Sequence, residues 1–338
     1  MQSCIGVFDR MIAEGQPRTM HFSHMQKKRA AALAIPFAVS TGLLAGCSST
    51  DAGNAASSAS SASSSAAASA SATTSTSAAS EAAFAQLETQ YQAQLGVYAL
   101  DTGTGRTVTF QPDQRFAYCS TLKALAASVL LQRETDQQLS QVITYSKSDL
   151  VEYSPVTEQH VATGMELSAV MAAALDISDN TAANLMVNQL GGPANLQAAL
   201  RSLGDQTTNV DRDEPTLNSA TPGDTRDTST ARALATDLRQ FVLGDVLTAS
   251  RRAQLVSWMQ ANTTGGPYIR AAVPAGWKVG DKTGNGDYGT RNDIAVIWPT
   301  GGGAPIVIAV LSHRGTQNAN SADALLADAT KIALKGLG

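Results

Sequence analysis

A serine and a lysine three residues apart form the pattern with the clearest chemical meaning in this sequence. Ser120 opens a strongly apolar segment that is predicted to be a helix, so Lys123 lies on the same face. A serine hydroxyl attacks at neutral pH when a neighbouring group accepts its proton, and a lysine with a lowered pKa can do so. Because the rest of this helix is nearly all apolar, Lys123 is predicted to have a buried partner or a catalytic purpose. The alternative is an N-cap serine followed by an exposed lysine.

Two further motifs carry side chains that can bind a substrate or relay a proton. Ser178-Asp179-Asn180 falls between two predicted helices, and Lys282-Thr283-Gly284 ends a predicted strand. An isolated S-D-N sequence is better explained as a cap, with Asp179 or Asn180 capping a helix that begins at Thr181. The order and content of the whole set of motifs therefore carry the functional argument.

A polar loop supplies a candidate activator of water. Glu214 and Asn218 lie in the segment 209–227, between Arg212 and Arg226-Asp227. A carboxylate with a nearby amide can hold and deprotonate a water molecule, which typically accelerates hydrolysis by about 10²–10⁴-fold. The alternative is an ordinary exposed acidic loop.

With the motifs in the order S-x-x-K, S-D-N, E-P-T-L-N and K-T-G, the chain resembles a class A serine β-lactamase from about residue 82 to its end. The resemblance implies hydrolysis of the β-lactam amide of penicillins, and of some cephalosporins, through an acyl-enzyme on Ser120 that confers antibiotic resistance. It implies no metal and no organic cofactor. Two alternatives stay open. A D-Ala-D-Ala carboxypeptidase or penicillin-binding protein would lack the deacylating glutamate loop, and a β-lactam sensor would be acylated once and recover slowly.

The resemblance assigns a role to each matching position. Ser178 relays a proton to the lactam nitrogen, Asn180 binds the amide of the substrate side chain, and the backbone N–H groups of Ser120 and Asn285 form an oxyanion hole. Whether Lys123 or Glu214 is the base for acylation stays open. The full assignment is catalysis by Ser120, Lys123, Ser178 and Glu214; substrate binding by Asn180, Asn218, Lys282, Thr283, Gly284, Asn285, Arg291 and Tyr153; and structural support by Asn184, Arg212 and Asp227.

Two positions depart from the family pattern. Some broad-spectrum members join the cysteine before the nucleophile to a second cysteine in the turn after K-T-G, but Gly286 occupies that position here. Cys119 is therefore predicted to be a free, packed residue, and it has no histidine partner that would make it a catalytic thiol. Asn285 stands where smaller residues are frequent, which leaves the substrate spectrum open.

Other chemistries are excluded by spacing and composition. Beyond Cys47 the only histidines are His160 and His313, without the spacing of zinc ligands. Residues 284–289 match G-x-G-x-x-G, but they lead into a predicted strand and not a helix, which excludes a dinucleotide site and predicts a glycine-rich hairpin turn. A net charge of −4 and 5% aromatic residues argue against a nucleic-acid partner.

The N-terminal region is predicted to consist of a targeting signal followed by a flexible tether. Residues 1–24 are an upstream extension, and a basic then apolar segment at 25–46 is typical of a signal peptide, too short for a membrane span of about 20 residues. Leu44-Ala45-Gly46-Cys47 resembles a lipoprotein box, which implies export and a membrane anchor on Cys47, facing the periplasm or cell exterior. The alternatives are signal cleavage without lipid, or a buried helix. Residues 47–80, rich in Ser and Ala, are predicted to be a flexible tether.

The elements that position these motifs predict an α+β fold with an antiparallel sheet flanked by helices and an all-helical part. A helix at 81–94 and strands at 95–100 and 106–110 precede six helices between 119 and 261; strands at 277–281, 290–298 and 305–313 and a helix at 322–337 follow. The catalytic region 81–338 is thus predicted to have an α/β part at about 81–112 and 262–338 and an all-α part at about 113–261. The motifs come from both parts, so the cleft is expected at their junction in a monomeric protein.

Overall fold

The computed structural model describes residues 77–338. The nine strands of this part are β1 (Gln94–Asp101), β2 (Thr107–Phe110), β3 (Arg115–Ala117), β4 (Val142–Ile143), β5 (Met165–Glu166), β6 (Thr228–Thr230), β7 (Lys278–Gly286), β8 (Thr290–Trp298) and β9 (Ile306–His313). Its ten α-helices are α1 (Ala78–Tyr91), α2 (Leu122–Arg133), α3 (Asp136–Leu139), α4 (Leu167–Asp176), α5 (Asn180–Gln189), α6 (Pro193–Ser202), α7 (Ala231–Leu243), α8 (Ala249–Ala261), α9 (Ile269–Ala272) and α10 (Asp323–Leu337).

The expectations for the N-terminus lie outside these residues. They are the extension at 1–24, the signal peptide at 25–46, lipidation of Cys47 and most of the tether. The predicted end of the tether at residue 80 is wrong, because residues 78–80 form the first turn of α1. Within the described part of the chain, no helix is long and apolar enough to cross a membrane.

The main sheet has five antiparallel strands in the order β2-β1-β9-β8-β7. Both of its faces are covered, because alternate residues of β8 belong to two different hydrophobic clusters: Ile294 and Val296 to one, Ala295 and Ile297 to the other. A strand that is buried on both faces needs a continuous apolar run and not an alternating one. This explains the run from Ile294 to Trp298, and it confirms the predicted fold class of an antiparallel sheet flanked by helices.

Helix α2 lies at the centre of the helical region. All ten residues from Leu122 to Leu131 are buried, and the helix contacts α4, α5, α7 and α8. A helix that is buried all round must be apolar all round, which explains the composition of these ten residues and makes Lys123, the single charged side chain among them, exceptional. The sheet contacts this helical region through α7, through α8 and through the turn that precedes α2.

The prediction that the strand ends at Lys282-Thr283-Gly284 is wrong. Strand β7 continues to Gly286, and the turn is formed by residues 287–289. Gly284 serves a close approach and not a turn, because a Cβ atom there would lie 2.7 Å from the carbonyl oxygen of Tyr118. The short strands β3, β4, β5 and β6 were not predicted from the sequence. Helix α5 begins at Asn180 and not, as predicted, at Thr181. The division of 81–338 into two parts stays a prediction.

Candidate active site

Ser120 lies in a 3₁₀ turn, Cys119–Thr121, that leads into α2. Its hydroxyl donates a hydrogen bond of 3.0 Å to Oε1 of Glu214. The turn is held from below, since the Asn292 side chain on β8 donates to the carbonyl oxygens of Ala117 and Tyr118 at 2.7 and 3.2 Å. The hydroxyl is thus fixed beside a carboxylate at the edge of the sheet.

Lys123 is buried one turn further along α2, with 3% of its surface exposed. Its ammonium group donates to the carbonyl and hydroxyl oxygens of Ser178 at 2.7 and 3.2 Å and to Oδ1 of Asn180 at 2.6 Å. It also lies 3.1 Å from Oε1 of Glu214. Burial lowers the pKa of Lys123, against the opposing effect of the Glu214 charge. A lysine in this setting can give up a proton far more readily than one in water.

The Glu214 carboxylate is held by two asparagines. Asn218 donates to its Oε2 at 2.5 Å. The Asn184 side chain braces the backbone of the same residue, accepting from its N–H at 2.8 Å and donating to its C=O at 2.9 Å. These contacts leave Oε1 of Glu214 turned toward Ser120 and Lys123, so the amide groups orient the carboxylate.

A buried aspartate closes the loop that carries Glu214. Arg212 Nε lies 2.5 Å from Oδ2 of Asp227, and Oδ1 of Asp227 accepts from the Tyr118 hydroxyl at 3.0 Å and from the backbone N–H of Arg212 at 3.0 Å. Tyr118 is two residues before Ser120, so this contact joins the base of the loop to the segment that carries the serine.

A second lysine reaches the hydroxyl of Ser178. Lys282 on β7 is fully buried, and its Nζ donates to Ser178 Oγ at 3.0 Å and to the carbonyl oxygen of Thr283 at 2.9 Å. Burial and the nearby charge of Lys123 lower the pKa of Lys282 to about 7. The Ser178 hydroxyl therefore lies between two buried ammonium groups. Asp179 caps α5 through a hydrogen bond of 2.9 Å from the backbone N–H of Ala182, the structural role expected of it.

These groups surround a cleft of about 540 Å³. Thr283 forms a hydroxyl–hydroxyl hydrogen bond of 2.6 Å with Thr264, Arg291 enters from β8, and Tyr153 lies at the rim with 54% of its surface exposed. Some of the lining residues could not be predicted from the sequence, because the segments that hold them carry no motif. The residues that line the cleft are Ser120, Glu152, Tyr153, Ser178, Asn180, Pro215, Asn218, Thr264, Tyr268, Thr283, Asn285, Gly286, Asp287 and Arg291.

The remaining predicted site residues lie beneath or beside this cleft. Lys123, Glu214 and Lys282 are buried under its floor, and Gly284 packs on the segment before Ser120. Cys119 is free and fully buried, and burial raises the pKa of its thiol. Among residues 77–338, no group of three or more His, Cys, Asp or Glu side chains is placed to hold a metal ion.

Comparisons with known proteins identify the family of this chain. The model of the β-lactamase enzyme family matches residues 79–337. A β-lactamase of Amycolatopsis lactamdurans is 59% identical over 255 residues, 75% of this chain and 84% of the relative, and one of Bacillus licheniformis is 55% identical over 75% and 82%. The structure of a halotolerant bacterial β-lactamase has a TM-score of 0.75 at 52% identity, covering 75% of this chain and 98% of the other. A class A β-lactamase from Clostridium kluyveri gives 0.75 at 47%, covering 76% and 98%. The chain belongs to the β-lactamase enzyme family, as a class A serine β-lactamase.

Proposed function

We propose that this protein opens the β-lactam amide of penicillins, and of some cephalosporins, and hydrolyses the ester that forms on Ser120, an activity that confers resistance to these antibiotics. The observation that carries the proposal is the meeting of three groups: Ser120 Oγ and Lys123 Nζ lie 3.0 and 3.1 Å from the same oxygen of Glu214. A nucleophile, a buried lysine and an oriented carboxylate are the parts needed for acylation followed by hydrolysis.

In acylation, Ser120 Oγ attacks the lactam carbonyl carbon and its proton passes to Glu214 or Lys123. Glu214 accepts the hydrogen bond of the Ser120 hydroxyl, and Lys123 contacts the same oxygen of Glu214. The backbone N–H groups of Ser120 and Asn285 stabilise the oxyanion, and losing one such donor typically slows the reaction by about 10²–10³-fold. The C–N bond then breaks. The lactam nitrogen takes the proton of the Ser178 hydroxyl, which Lys123 or Lys282 replaces.

In deacylation, Glu214 removes a proton from a water molecule that Asn218 helps to hold, and the hydroxide attacks the ester carbon. The bond between the ester carbon and Ser120 Oγ breaks, Oγ takes the proton that Glu214 removed from the water, and both groups return to their starting states. The brace from Asn184 and the closure of the loop by Arg212 and Asp227 support this role, because general-base catalysis requires a fixed carboxylate. The scheme uses no metal and no organic cofactor.

Substrate binding is assigned to the cleft and to the lysine beneath its floor. Thr283 and Arg291 line the cleft and offer a hydroxyl and a positive charge to the substrate carboxylate, and the fully buried Lys282 adds positive charge from below. Asn180 and Asn285 offer amide groups for the substrate side chain. Tyr153 covers the rim. Asn180 is well fixed for this task, since its Nδ2 donates to the carbonyl oxygen of Glu152 at 2.8 Å.

Turnover of benzylpenicillin tests the proposal. The full chain is mixed with excess benzylpenicillin while ring opening and intact protein mass are recorded together. Many turnovers per protein with little lasting adduct are expected. One equivalent consumed, with a stable adduct on Ser120, would contradict a hydrolase and favour a sensor or a carboxypeptidase.

We further propose that the protein is exported and tethered to a membrane as a monomer. The lipoprotein box that ends at Cys47 and the Ser- and Ala-rich segment that follows it, up to the start of α1 at Ala78, support a lipid anchor joined to the catalytic region by a flexible tether. Expression of the full chain and of Cys47→Ala, followed by membrane fractionation, tests the anchor. The unchanged chain is expected in the membrane fraction and the variant in the soluble fraction, whereas equal distribution would contradict lipidation.

A further inference from the structure

Tyr268 is a cleft residue without a role in the scheme above. It precedes α9, only 7% of its surface is exposed, and it lines the cleft together with Arg291. The guanidinium carbon of Arg291 lies 5.2 Å from the centre of the Tyr268 ring, within the range of a cation–π contact.

The backbone around Tyr268 is fixed on both sides. Its N–H donates to the carbonyl oxygen of Gly265 at 3.1 Å, and the next residue, Ile269, donates to Oδ2 of Asp293 at 3.2 Å. Gly265 must be a glycine, because a Cβ atom there would lie 1.9 Å from Oδ2 of Asp281. The ring is therefore a rigid platform and not a mobile surface tyrosine.

Arg291 has three contacts from two parts of the chain, the segment 321–323 and Tyr268. Its Nε lies 2.9 Å from Oδ1 of Asp323 at the start of α10, its Nη2 donates to the Ser321 hydroxyl, and its guanidinium carbon lies over the Tyr268 ring. The hydrogen bond from Nη2, the ion pair with Asp323 and the Tyr268 ring together restrain the guanidinium group.

One polar atom of Arg291 and one of Tyr268 have no hydrogen-bond partner in the described part of the chain. In residues 77–338, neither Nη1 of Arg291 nor the hydroxyl of Tyr268 has a hydrogen-bond partner, and both residues line the cleft. Burial raises the pKa of Tyr268, so its hydroxyl keeps its proton at neutral pH and can donate it to a hydrogen bond. A carboxylate, which accepts through two oxygens, suits this pair of donors.

We propose that Tyr268 is a specificity-determining residue for the anionic group of the substrate: its ring fixes the Arg291 guanidinium, and its hydroxyl donates a hydrogen bond to the carboxylate that Arg291 binds. The inference rests on the proposed function, since it concerns the substrate of that same cleft. It separates Tyr268 from the groups that act on the lactam ring, because the contact that its ring makes inside the cleft is with the anion-binding side chain of Arg291.

The test compares two substrates that differ only in charge: benzylpenicillin, which carries the carboxylate, and its neutral methyl ester. Steady-state kinetics are measured for the full chain and for Tyr268→Phe, Tyr268→Leu and Arg291→Gln. Tyr268→Phe keeps the ring and removes the hydroxyl, whereas Tyr268→Leu removes both. Tyr91→Phe, which deletes the hydroxyl that donates to Asp328 on α10, is the matched control away from the cleft.

For Tyr268→Phe we expect a KM for benzylpenicillin that is higher by about tenfold, the effect of one hydrogen bond to a charged group, with kcat little changed. Tyr268→Leu should raise it by about another threefold through the lost cation–π contact. Kinetics on the ester should stay the same in both variants, and Arg291→Gln should remove most of the additional effect of Tyr268→Leu. Tyr91→Phe should match the unchanged chain on both compounds.

An equal rise of KM for the acid and the ester, or no rise for the acid, would overturn the inference. If Tyr268→Leu fails to fold, the result for Tyr268→Phe alone tests the inference. Failure of the unchanged chain to turn over either compound would contradict the proposed function itself, and this inference with it. The two failures therefore give different results.

Discussion

Lys123 and Lys282 approach the same hydroxyl: their Nζ atoms lie 3.2 and 3.0 Å from Ser178 Oγ. Two buried ammonium groups this close repel each other, so at least one must lose its proton more readily than in water. Lys123 has the Glu214 carboxylate as a direct partner at 3.1 Å. Lys282 lacks so close a partner, and burial together with Lys123 lowers its pKa to about 7. The total charge of the two lysines therefore changes with pH near neutrality, and Lys282 is the residue that titrates there.

The first prediction concerns binding above neutral pH. Because the pKa of Lys282 in the free protein is about 7, its charge is present below that pH and is lost as pH rises through it. An anionic substrate binds the charged form, so the KM for benzylpenicillin should rise with pH above about 7 by up to about tenfold per unit, while kcat stays flatter. Steady-state kinetics between pH 5 and 9 measure this.

A lysine-to-arginine pair supplies the control for that pH profile. Lys282→Arg keeps its charge throughout the range, so the rise of KM should disappear. Lys278→Arg makes the same exchange at an exposed position of the same strand and should leave the profile unchanged. An identical alkaline rise in Lys282→Arg would assign the titration to another group.

The second prediction separates the two halves of the reaction. Glu214→Gln keeps the size of the side chain and can still bind Asn218, but it cannot take a proton from water. Acylation by benzylpenicillin should continue and deacylation should slow by about 10²–10⁴-fold, so intact-mass spectra should show the acyl-enzyme accumulating. Glu166→Gln, at an exposed position of β5, is the control and should show no adduct. Steady turnover by Glu214→Gln at the rate of the unchanged chain would remove Glu214 from deacylation.

Local patterns predicted the long elements well, because their burial is decided by their own residues. The predicted and observed limits of the strand Thr290–Trp298 agree, and the final helix differs by one residue. Strands β3 and β6 were missed because they have three residues each and exist only through the long-range pairing of Arg115 with Thr230. No window of the sequence contains that information.

The site residues that belong to recognisable motifs could be predicted from the sequence. Ser120, Ser178, Glu214 and Arg291 come from four separate segments, and the fold brings them to one cleft or to its floor. Their individual roles stay predictions. Tyr268 was not predictable, because its proximity to Arg291 depends on the packing of a short turn against β8 and not on spacing along the chain.

The third prediction concerns stability and rests on a carboxyl pair remote from the cleft. Asp237 on α7 has 1% of its surface exposed, and burial, followed by the charge of Asp205, raises its pKa to about 9. Its folded-state pKa is above the unfolded value of 3.8, so its contribution to stability is full below about pH 4 and is lost progressively as pH rises to about 9. The slope of this loss is at most about 1.4 kcal/mol per pH unit.

Asp237→Asn should therefore flatten the decline of unfolding free energy between pH 5 and pH 9, and should leave the variant more stable than the unchanged chain at pH 9. Asp205 does not obscure the result, because its pKa is lowered from 3.8 and its own effect falls below that range. Asp245→Asn makes the same change at an exposed position and is the control. Denaturant unfolding at pH 5, 7 and 9 gives the three free energies. Parallel curves for Asp237→Asn and the unchanged chain would contradict the raised pKa of Asp237.

The last prediction uses the position where the family's second cysteine is absent. A Cβ atom built at Gly286 would lie 2.7 Å from Sγ of Cys119, so Gly286→Cys should form a disulfide with that buried thiol on oxidation, and non-reducing peptide mapping should detect it. The same Cβ would lie 2.7 Å from the carbonyl oxygen of Asn218, which must move to make room. Because Asn218 orients Glu214, turnover of benzylpenicillin should fall in both Gly286→Cys and the control Gly286→Ala, but only the cysteine variant should change further when the bridge is reduced. A free thiol at Cys119 after oxidation of Gly286→Cys would contradict the geometry, and equal responses of the two variants to reductant would show that steric pressure on Asn218, and not the bridge, governs the rate.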